Sequence, residues 1–284
     1  MLMDEVYEAT KDVISARQFL QIRGCLRFYP PTCPTCERSM SFVKHKENVM
    51  KWRCATHKNN TILEKKDSFW EGSHLSYSQI IKLVCAWALK IPLTTVPHMF
   101  DITTKTAIMW YKSFRDVCSQ ILNRYPYKIG GPGMVVQIDE SLMAKRKYHR
   151  GHLVPERWVF GGYCPNTKEG FLFMVENRSA TVLLPLIVEN AAYGGIPQLP
   201  VLPPFQHEVV NHSQNFVDPG TGAHTNNVEC YWKNAKRRFK SMACVHDTTL
   251  SGHLDEFKWR EKYGRSPREA FDNLFKQIAE LYQF

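Results

Sequence analysis

Three cysteines and one histidine occur in two short pairs whose spacing could bind a metal ion. Cys33 and Cys36 form a C-x2-C pair, and after a gap of 17 residues Cys54 and His57 form a C-x2-H pair. Thiolates and imidazole are preferred ligands of tetrahedral Zn²⁺, and two such pairs can close on one ion. The strand-like stretches "MSFVKH" and "MKWRC" flank the gap, as in a ribbon hairpin. We therefore predict a structural zinc ribbon.

Two alternatives to this assignment stay open. The four residues can be free thiols beside a surface histidine, or the fourth ligand can be His45 or Cys25 in place of His57. Paired spacings of two residues favour the zinc site over free thiols, because they are specific to metal-binding knuckles.

A second group of residues combines carboxylates with basic side chains, as a phosphoryl-transfer site requires. Asp139 follows the apolar run "MVVQI" and precedes the basic stretch "AKRKYHRGH". Glu229 is the lone acid in "HTNNVECYWKNAKRRFK" (224–240), which carries five Lys or Arg. Carboxylates can bind Mg²⁺ or Mn²⁺, and neighbouring cations can bind the phosphates of DNA. The candidate phosphate-binding residues are Lys145, Arg146, Lys147, Lys233, Lys236 and Arg237.

Each carboxylate also has a purely structural explanation. Asn226 can cap a helix, and Glu229 three residues later completes a capping-box pattern. An acid that follows a strand, such as Asp139, is commonly a turn residue. Taken alone, the stretch around Glu229 favours the helix cap, and only its combination with Asp139 favours a shared metal site.

The composition is that of a folded, basic protein. Of the 284 residues 44% are hydrophobic, which supports a sizeable core, and the formal net charge is +10. A polyanion such as nucleic acid is therefore the first partner to consider, although surface charge also serves solubility.

The sequence does not resemble that of a secreted or membrane protein. The 9 cysteines are odd in number and mostly scattered, which argues against a disulfide framework. The first 20 residues contain early acids and no apolar signal-peptide core. Lys82, Lys90 and Pro92 interrupt the most apolar stretch, so no membrane span is predicted. We expect a nuclear location in a eukaryotic host and a cytoplasmic one otherwise.

Hydrophobic periodicity predicts the elements that must position these residues. Strands are predicted over 134–138, 157–163 and 170–176, which puts Asp139 directly after the first strand. A helix follows them, so an α/β sheet is expected. The predicted helices cover residues 5–22, 75–90, 103–125, 179–190, 249–262 and 267–282.

The two helices between residues 75 and 125 could form a helix-turn-helix unit. The helix from Thr103 would then be the reading helix, and Lys105, Lys112 and Arg115 would contact phosphates. A plain helical spacer with a solvated charged face explains the periodicity equally well.

Several long motifs follow one another between about residues 30 and 262. After the cysteine pairs come "SFWEGSHLSYSQII", "GGPGMVVQIDESLMAKRKYHRGH", "RWVFGGY", "ENRSATVLLPLI", "VNHSQNFVDPGTGAHTNNVECYWKNAKRRFK" and "HLDEFKWREKYG". Together they resemble the Merlin transposases and the bacterial IS1595/ISXO2-like group. The resemblance implies an RNase H-like domain with an acidic DDE triad, which cuts and rejoins double-stranded DNA at terminal inverted repeats. Asp139 matches the first triad residue and Glu229 the third.

The resemblance and the motifs predict three segments in an α/β protein. Residues 1–74 would hold the N-terminal helix and zinc ribbon, 75–129 the helical DNA-binding segment, and 130–284 the RNase H-like domain. "GGPG" at 130–133 would mark the joint before the catalytic domain. The implied assembly is a homo-oligomer on DNA.

The sequence departs from the family pattern at the second triad acid. In the family that Asp lies on a strand after the crossover helix, but here no Asp or Glu occurs between Asn190 and His207. The same segment contains "QLPVLPP", which is a poor central strand, and the fourth strand is expected to be truncated. Glu208 and Asp218 are the nearest substitutes for the missing acid.

Three functions are therefore compatible with the sequence. A transposase-derived DNA-binding protein with impaired cleavage is the first, because the middle triad acid is missing. An active metal-dependent transposase and a non-enzymatic zinc-ribbon interaction module are the alternatives.

Overall fold

The structure is a computed structural model that describes residues 2–46, 49–142, 157–192, 208, 210, 217–241 and 247–283. Over these residues it is a mixed α/β protein with two three-stranded antiparallel sheets. The described elements are α1 (Leu2–Ala9), α2 (Val13–Ile22), β1 (Ser41–Lys46), β2 (Val49–Arg53), β3 (Thr61–Leu63), α3 (Tyr77–Ala88), α4 (Val96–Phe100), α5 (Thr104–Arg124), β4 (Gln137–Leu142), β5 (Trp158–Cys164), β6 (Glu169–Val175), α6 (Ala180–Asn190), α7 (Asn226–Ser241), α8 (Asp247–Tyr263) and α9 (Pro267–Leu281).

The chain divides into two compact units whose boundaries differ from the three predicted segments. One unit joins Met1–Ile121 with Tyr263–Phe284, and the other is Leu122–Lys262. Helix α9 thus belongs to the first unit, where the rings of Phe271 and Phe275 lie 6.1 and 5.6 Å from that of Phe19 in α2. Aromatic packing of the two chain ends, rather than sequence order, decides this assignment.

Two helices of the first unit, α3 and α9, begin directly after a serine cap, close to the predicted starts at residues 75 and 267. Ser76 and Ser266 each accept a hydrogen bond from the backbone N–H three residues later. In return, the side chains of Gln79 and Glu269 accept from the backbone N–H of the capping serine. These reciprocal capping boxes satisfy N–H groups that the first helical turn leaves without partners.

None of the helices that the structure describes is long and apolar enough to cross a membrane.

The N-terminal helix predicted over 5–22 is two helices, α1 and α2. The chain turns at Thr10–Asp12, where the Asp12 carboxylate accepts from the N–H and the hydroxyl of Ser15. A capping Asp competes well with continued helix, because its side chain replaces the missing backbone partner.

Helix α5 confirms the predicted helix over 103–125. Its buried face includes Tyr111, Phe114, Val117 and Ile121, whereas Ile108 is 50% exposed. Lys105 and Lys112 are exposed. Arg115 is only 8% exposed, so the expectation that it contacts a phosphate is wrong in this conformation.

In the second unit, β4, β5 and β6 form an antiparallel sheet in that order, with helices on both faces. On one face Val159 and Leu172 pack against buried residues of α7 and α8, and on the other Phe160 and Phe171 pack against Leu183 of α6. This alternation of adjacent strand residues is expected for a sheet that is covered on both sides.

Strand β4 begins later than the sequence pattern predicts. Met134 and Val135 are 43% and 63% exposed, and pairing with β5 starts at Gln137. Asp139 is therefore inside β4, opposite Gly161, instead of directly after the strand. An acid within a paired strand is held more rigidly than one in a turn, because the ladder fixes its backbone on one side.

The chain after α6 returns beside the segment that leads into β4. Ile129 and Ala191 form a parallel bridge, with N–H···O distances of 2.8 Å from Ile129 to Asn190 and 2.7 Å from Ala192 to Ile129. The expected truncation of the fourth strand concerns residues 191–206, most of which lie outside the described residues.

Candidate functional site

Cys33, Cys36, Cys54 and His57 come together beside the sheet β1–β3. Their ligand atoms all lie within 4.8 Å of one another, so this Cys3His cluster could hold a metal ion such as zinc. The Sγ atoms of Cys36 and Cys54 are 3.6 Å apart, and His57 Nδ1 is 3.9 Å from the Sγ atoms of Cys33 and Cys54. A tetrahedron with Zn–S bonds of about 2.3 Å has edges of roughly 3.8 Å. The three distances lie close to such edges, so the cluster is near the geometry that the ion requires.

Asn60 supports the cluster, although the spacing of the cysteines gave no signal for it. Its side-chain N–H donates to Cys33 Sγ at 3.2 Å and to Thr35 Oγ1 at 2.8 Å. The first of these bonds lowers the pKa of the Cys33 thiol to about 5, with weaker help from backbone N–H groups of the knuckle. The thiolate is the form that binds a metal ion, so a lowered pKa favours metal binding.

Neither alternative fourth ligand belongs to the cluster. The Cys25 thiol is buried and donates to the carbonyl of Phe275 at 3.6 Å, and burial raises its pKa to about 12. His45 lies on β1 and is not among the four clustered residues. His57 supplies the imidazole of the described cluster.

The two predicted catalytic carboxylates line one cavity in the second unit. Its volume is about 410 Å³. Asp139 and Ser141 come from β4, and the remaining lining residues follow one face of α7. These are Glu229, Trp232, Lys233, Lys236 and Arg237. The three predicted phosphate-binding residues of this helix are therefore on the same cavity as both acids.

Alternation along β4 explains why Asp139 faces α7. Gln137, Asp139 and Ser141 share one strand face, because successive side chains point to opposite sides. At its two ends this face bonds to the helix: Gln137 accepts from backbone N–H groups of α7, and Ser141 Oγ accepts from Lys236 Nζ at 2.6 Å. Asp139 lies between these contacts and is held toward the helix by both.

Gly161 permits the close approach of α7 to the sheet at the level of Asp139. A Cβ atom on Gly161 would lie 2.9 Å from Trp232 Cζ2 and 3.0 Å from the carbonyl oxygen of Phe171. Trp232 is 3% exposed and packs in the core between α7 and the sheet. Because Gly161 of β5 has no side chain, the helix that carries Glu229 can pack close to the strand position of Asp139.

The cap of α7 comes from the sheet, which differs from the predicted capping box. The helix begins at Asn226, and Gln137 Oε1 accepts from the N–H groups of Asn227 and Val228 at 3.0 and 3.1 Å. The Glu229 carboxylate accepts from the hydroxyl of Thr225 at 3.0 Å. Gln137 thus supplies part of the cap, while Glu229 lies in the first turn of α7 and bonds to Thr225, the residue before the helix.

Neither substitute for the middle acid lines this cavity. Glu208 is exposed, and the Asp218 carboxylate accepts from the N–H and hydroxyl of Thr221 and from the N–H of Gly220. These bonds, the Thr221 N–H first, lower the pKa of Asp218 and tie it into a turn. In the described part of the chain, Cys3His is the one group of three or more potential ligands.

Three further predicted site residues cannot be placed. Lys145, Arg146 and Lys147 lie outside the described residues. The basic character of the cavity therefore rests on Lys233, Lys236 and Arg237 of α7.

Replacing Gln137 with Met should destabilise the second unit by about 2 kcal/mol. The change keeps the side-chain volume but leaves the N–H groups of Asn227 and Val228 without their acceptor, and such losses cost about 1–3 kcal/mol when the group is buried. Urea unfolding and hydrogen exchange at these two amides would measure the effect. Gln18→Met, an exposed position on α2, is the matched control. Unchanged exchange in Gln137→Met would contradict the capping role.

Comparison with known proteins gives the chain no family. Searches against protein-family models, curated proteins and solved structures found no significant match.

Proposed function

We propose that this protein is a transposase-derived DNA-binding protein that has an RNase H-like domain and impaired strand cleavage. The observation that carries the proposal is the cavity lined by Asp139, Glu229 and three cations of α7. Two acids from distant parts of the sequence, both matched to a DDE triad by resemblance, line one surface with the basic residues that a DNA backbone requires.

The topology of the second unit supports an RNase H-like assignment. In the family that the sequence resembles, the second acid lies on a strand after a crossover helix. Helix α6 follows the three antiparallel strands, and Ala191 then bridges in parallel to Ile129 beside the start of the sheet. This is the position at which a fourth strand would begin.

The chemistry of the cavity follows from its side chains. Asp139 and Glu229 would hold Mg²⁺ or Mn²⁺, which supplies charge neutralisation and an activated water or 3′-hydroxyl when bound. Mg²⁺ is commonly bound by one or two carboxylates together with waters and substrate phosphates, so two acids are enough donors for one ion. Lys233 and Arg237 are exposed and would contact the phosphates, while Lys236 also holds Ser141.

Impaired cleavage follows from the number of carboxylates that the cavity offers to metal ions. A two-metal site must stabilise both the attacking and the leaving oxygen of the displacement. The described cavity offers two carboxylates, and Glu208 and Asp218 are not among its lining residues. We therefore place DNA binding, rather than cleavage, at the centre of the proposed function.

The Cys3His cluster supports a zinc ribbon in the first unit. Strands β1 and β2 pair in antiparallel fashion between the two ligand pairs, and β3 extends the sheet after His57. Binding to terminal inverted repeats, assembly as a homo-oligomer on DNA and, in a eukaryotic host, a nuclear location complete the proposal.

DNA affinity should fall when cations of the cavity are removed. Lys233→Ala with Arg237→Ala should weaken duplex binding at low salt and reduce the slope of log K against log salt by about two, because two phosphate contacts are lost. These residues are chosen because Lys236 also bonds to Ser141. Fluorescence anisotropy with labelled duplex DNA between low and physiological salt would measure both quantities.

The control is a double variant with the same change in net charge. Lys66 and Lys276 are exposed cations of the first unit, so Lys66→Ala with Lys276→Ala should change affinity much less. Equal losses in the two double variants would reject the cavity as the phosphate-binding surface. An absence of duplex binding by the wild type would favour the interaction-module alternative.

A further inference from the structure

A second cavity, in the first unit, has aromatic walls and acidic side chains. Its volume is about 380 Å³. The described lining contains three aromatic residues, two carboxylates and no Lys or Arg. The residues that matter for the argument are Phe69, Trp110, Tyr282, Met109, Glu71 and Asp116. Acidic lining is unexpected in a chain with a formal net charge of +10, and the proposed DNA-binding function gives it no role.

The aromatic rings form an angled wall instead of a parallel stack. The Phe69 ring lies 5.2 Å from that of Tyr282 at 65° and 5.5 Å from that of Trp110 at 61°. Each ring comes from a different part of the fold: Trp110 from α5, Tyr282 from the end of α9, and Phe69 from the turn after β3. The three rings pack on one another, and Phe69 and Tyr282 offer more surface to the cavity than Trp110, which is only 5% exposed.

The turn that carries Phe69 and Glu71 is fixed by core packing and by a hydrogen bond within the turn. The neighbouring Trp70 is fully buried, and its ring lies 5.0 Å from that of Trp110. Glu71 Oε2 accepts from the N–H of Asp67 at 3.0 Å, which fixes the acid at the cavity. The cavity walls are therefore preformed in the folded unit.

This lining selects by charge and by hydration. Two carboxylates disfavour anions such as phosphate and favour a cation. Aromatic rings and a Met thioether cannot replace the hydration shell of a hard metal ion. They do attract weakly hydrated organic cations, whose charge is spread over alkyl groups, through the negative faces of the rings.

We propose that this cavity binds an alkylated ammonium group. Two sources share that chemistry, namely a methylated lysine side chain of a protein segment and a small quaternary ammonium compound. Glu71 and Asp116 supply the charge that compensates the cation, while Phe69, Trp110 and Tyr282 supply the ring faces. The proposal is independent of the proposed DNA function, because none of its residues lines the cavity of Asp139 and Glu229 or belongs to the Cys3His cluster.

Calorimetric titration of the full chain with four probes would test the proposal. Choline should bind measurably, and its uncharged isostere 3,3-dimethylbutanol should bind at least tenfold more weakly. A peptide with trimethyllysine should bind more tightly than the same peptide with unmodified lysine. If the affinity for the trimethyllysine peptide exceeds that for choline, the natural ligand is a protein segment. If the two affinities are equal, the natural ligand is a small molecule.

Two variants separate the contributions of the rings and the acids. Tyr282→Leu keeps an apolar side chain but removes one ring and should weaken choline binding about tenfold. Asp116→Asn should weaken it severalfold, whereas Glu8→Gln, an exposed acid on α1, should leave it unchanged. Circular dichroism would verify that each variant is folded. Equal binding of choline and its isostere, no binding of either, or wild-type affinity in a folded Tyr282→Leu variant would overturn the proposal.

Discussion

Each purified chain should carry one zinc ion, and Cys36→Ser should lose most of it. The four ligand atoms already lie within 4.8 Å of one another, so an ion can bind without paying for a large rearrangement of the chain. Zinc sites of this kind contribute about 10–16 kcal/mol of apparent binding free energy, which is also folding free energy for a small module. Removing one thiolate should therefore lower both the zinc content and the thermal stability of the first unit.

Metal analysis after dialysis against a weak chelator would measure the zinc content. Cys230→Ser is the matched control, because Cys230 is exposed on α7 and is not part of the cluster. It should retain the wild-type content. A wild-type protein that is free of zinc, with a circular dichroism spectrum and melting temperature unaffected by added zinc, would contradict the prediction.

Local signals account for the parts of the fold that the sequence predicted well. Helices α3 and α9 begin directly after Ser76 and Ser266, and each capping box lies within four consecutive residues. The Cys3His cluster is similar, since two pairs with fixed spacing carry most of its geometry. Such features depend on neighbours in the sequence and can be recognised without knowledge of the tertiary structure.

Long-range contacts account for the parts that could not be predicted. Gln137 caps α7 from a distance of about 90 residues in sequence, and nothing near Asn226 indicates this. The role of Gly161 depends on the approach of Trp232, and the position of Asp139 inside β4 depends on pairing with β5. The break between α1 and α2 has a different origin, because the Asp12 cap that begins α2 is a local contact with Ser15.

The cavity itself needed both kinds of information. The resemblance matched Asp139 and Glu229 to a triad, but it could not say which side chains hold them in position. Gln137 and Ser141 on the same strand face provide that support through bonds to α7. A search for alternating polar residues around Asp139 would have singled out both as partners of a facing element.

DNA that carries terminal inverted repeats of the resembling elements should be bound but hardly nicked by this chain in Mg²⁺. Loss of outer-shell partners alone costs metal sites about 10–100-fold in affinity or activity, so a missing direct ligand should cost more. Mn²⁺ should permit slow nicking at most. The assay compares the wild type with Asp139→Asn and Glu229→Gln on labelled duplex over time, with binding measured in parallel.

Glu140→Gln is the matched control for these two variants. Glu140 is adjacent to Asp139 but lies on the opposite face of β4, away from the α7 side that carries the cavity. Slow nicking in Mn²⁺ should therefore persist in Glu140→Gln and disappear in Asp139→Asn and Glu229→Gln. Robust wild-type cleavage in Mg²⁺ that both cavity variants abolish would instead establish an active enzyme. A third acid, with Glu208 and Asp218 the first to test, would then have to complete the site when DNA is bound.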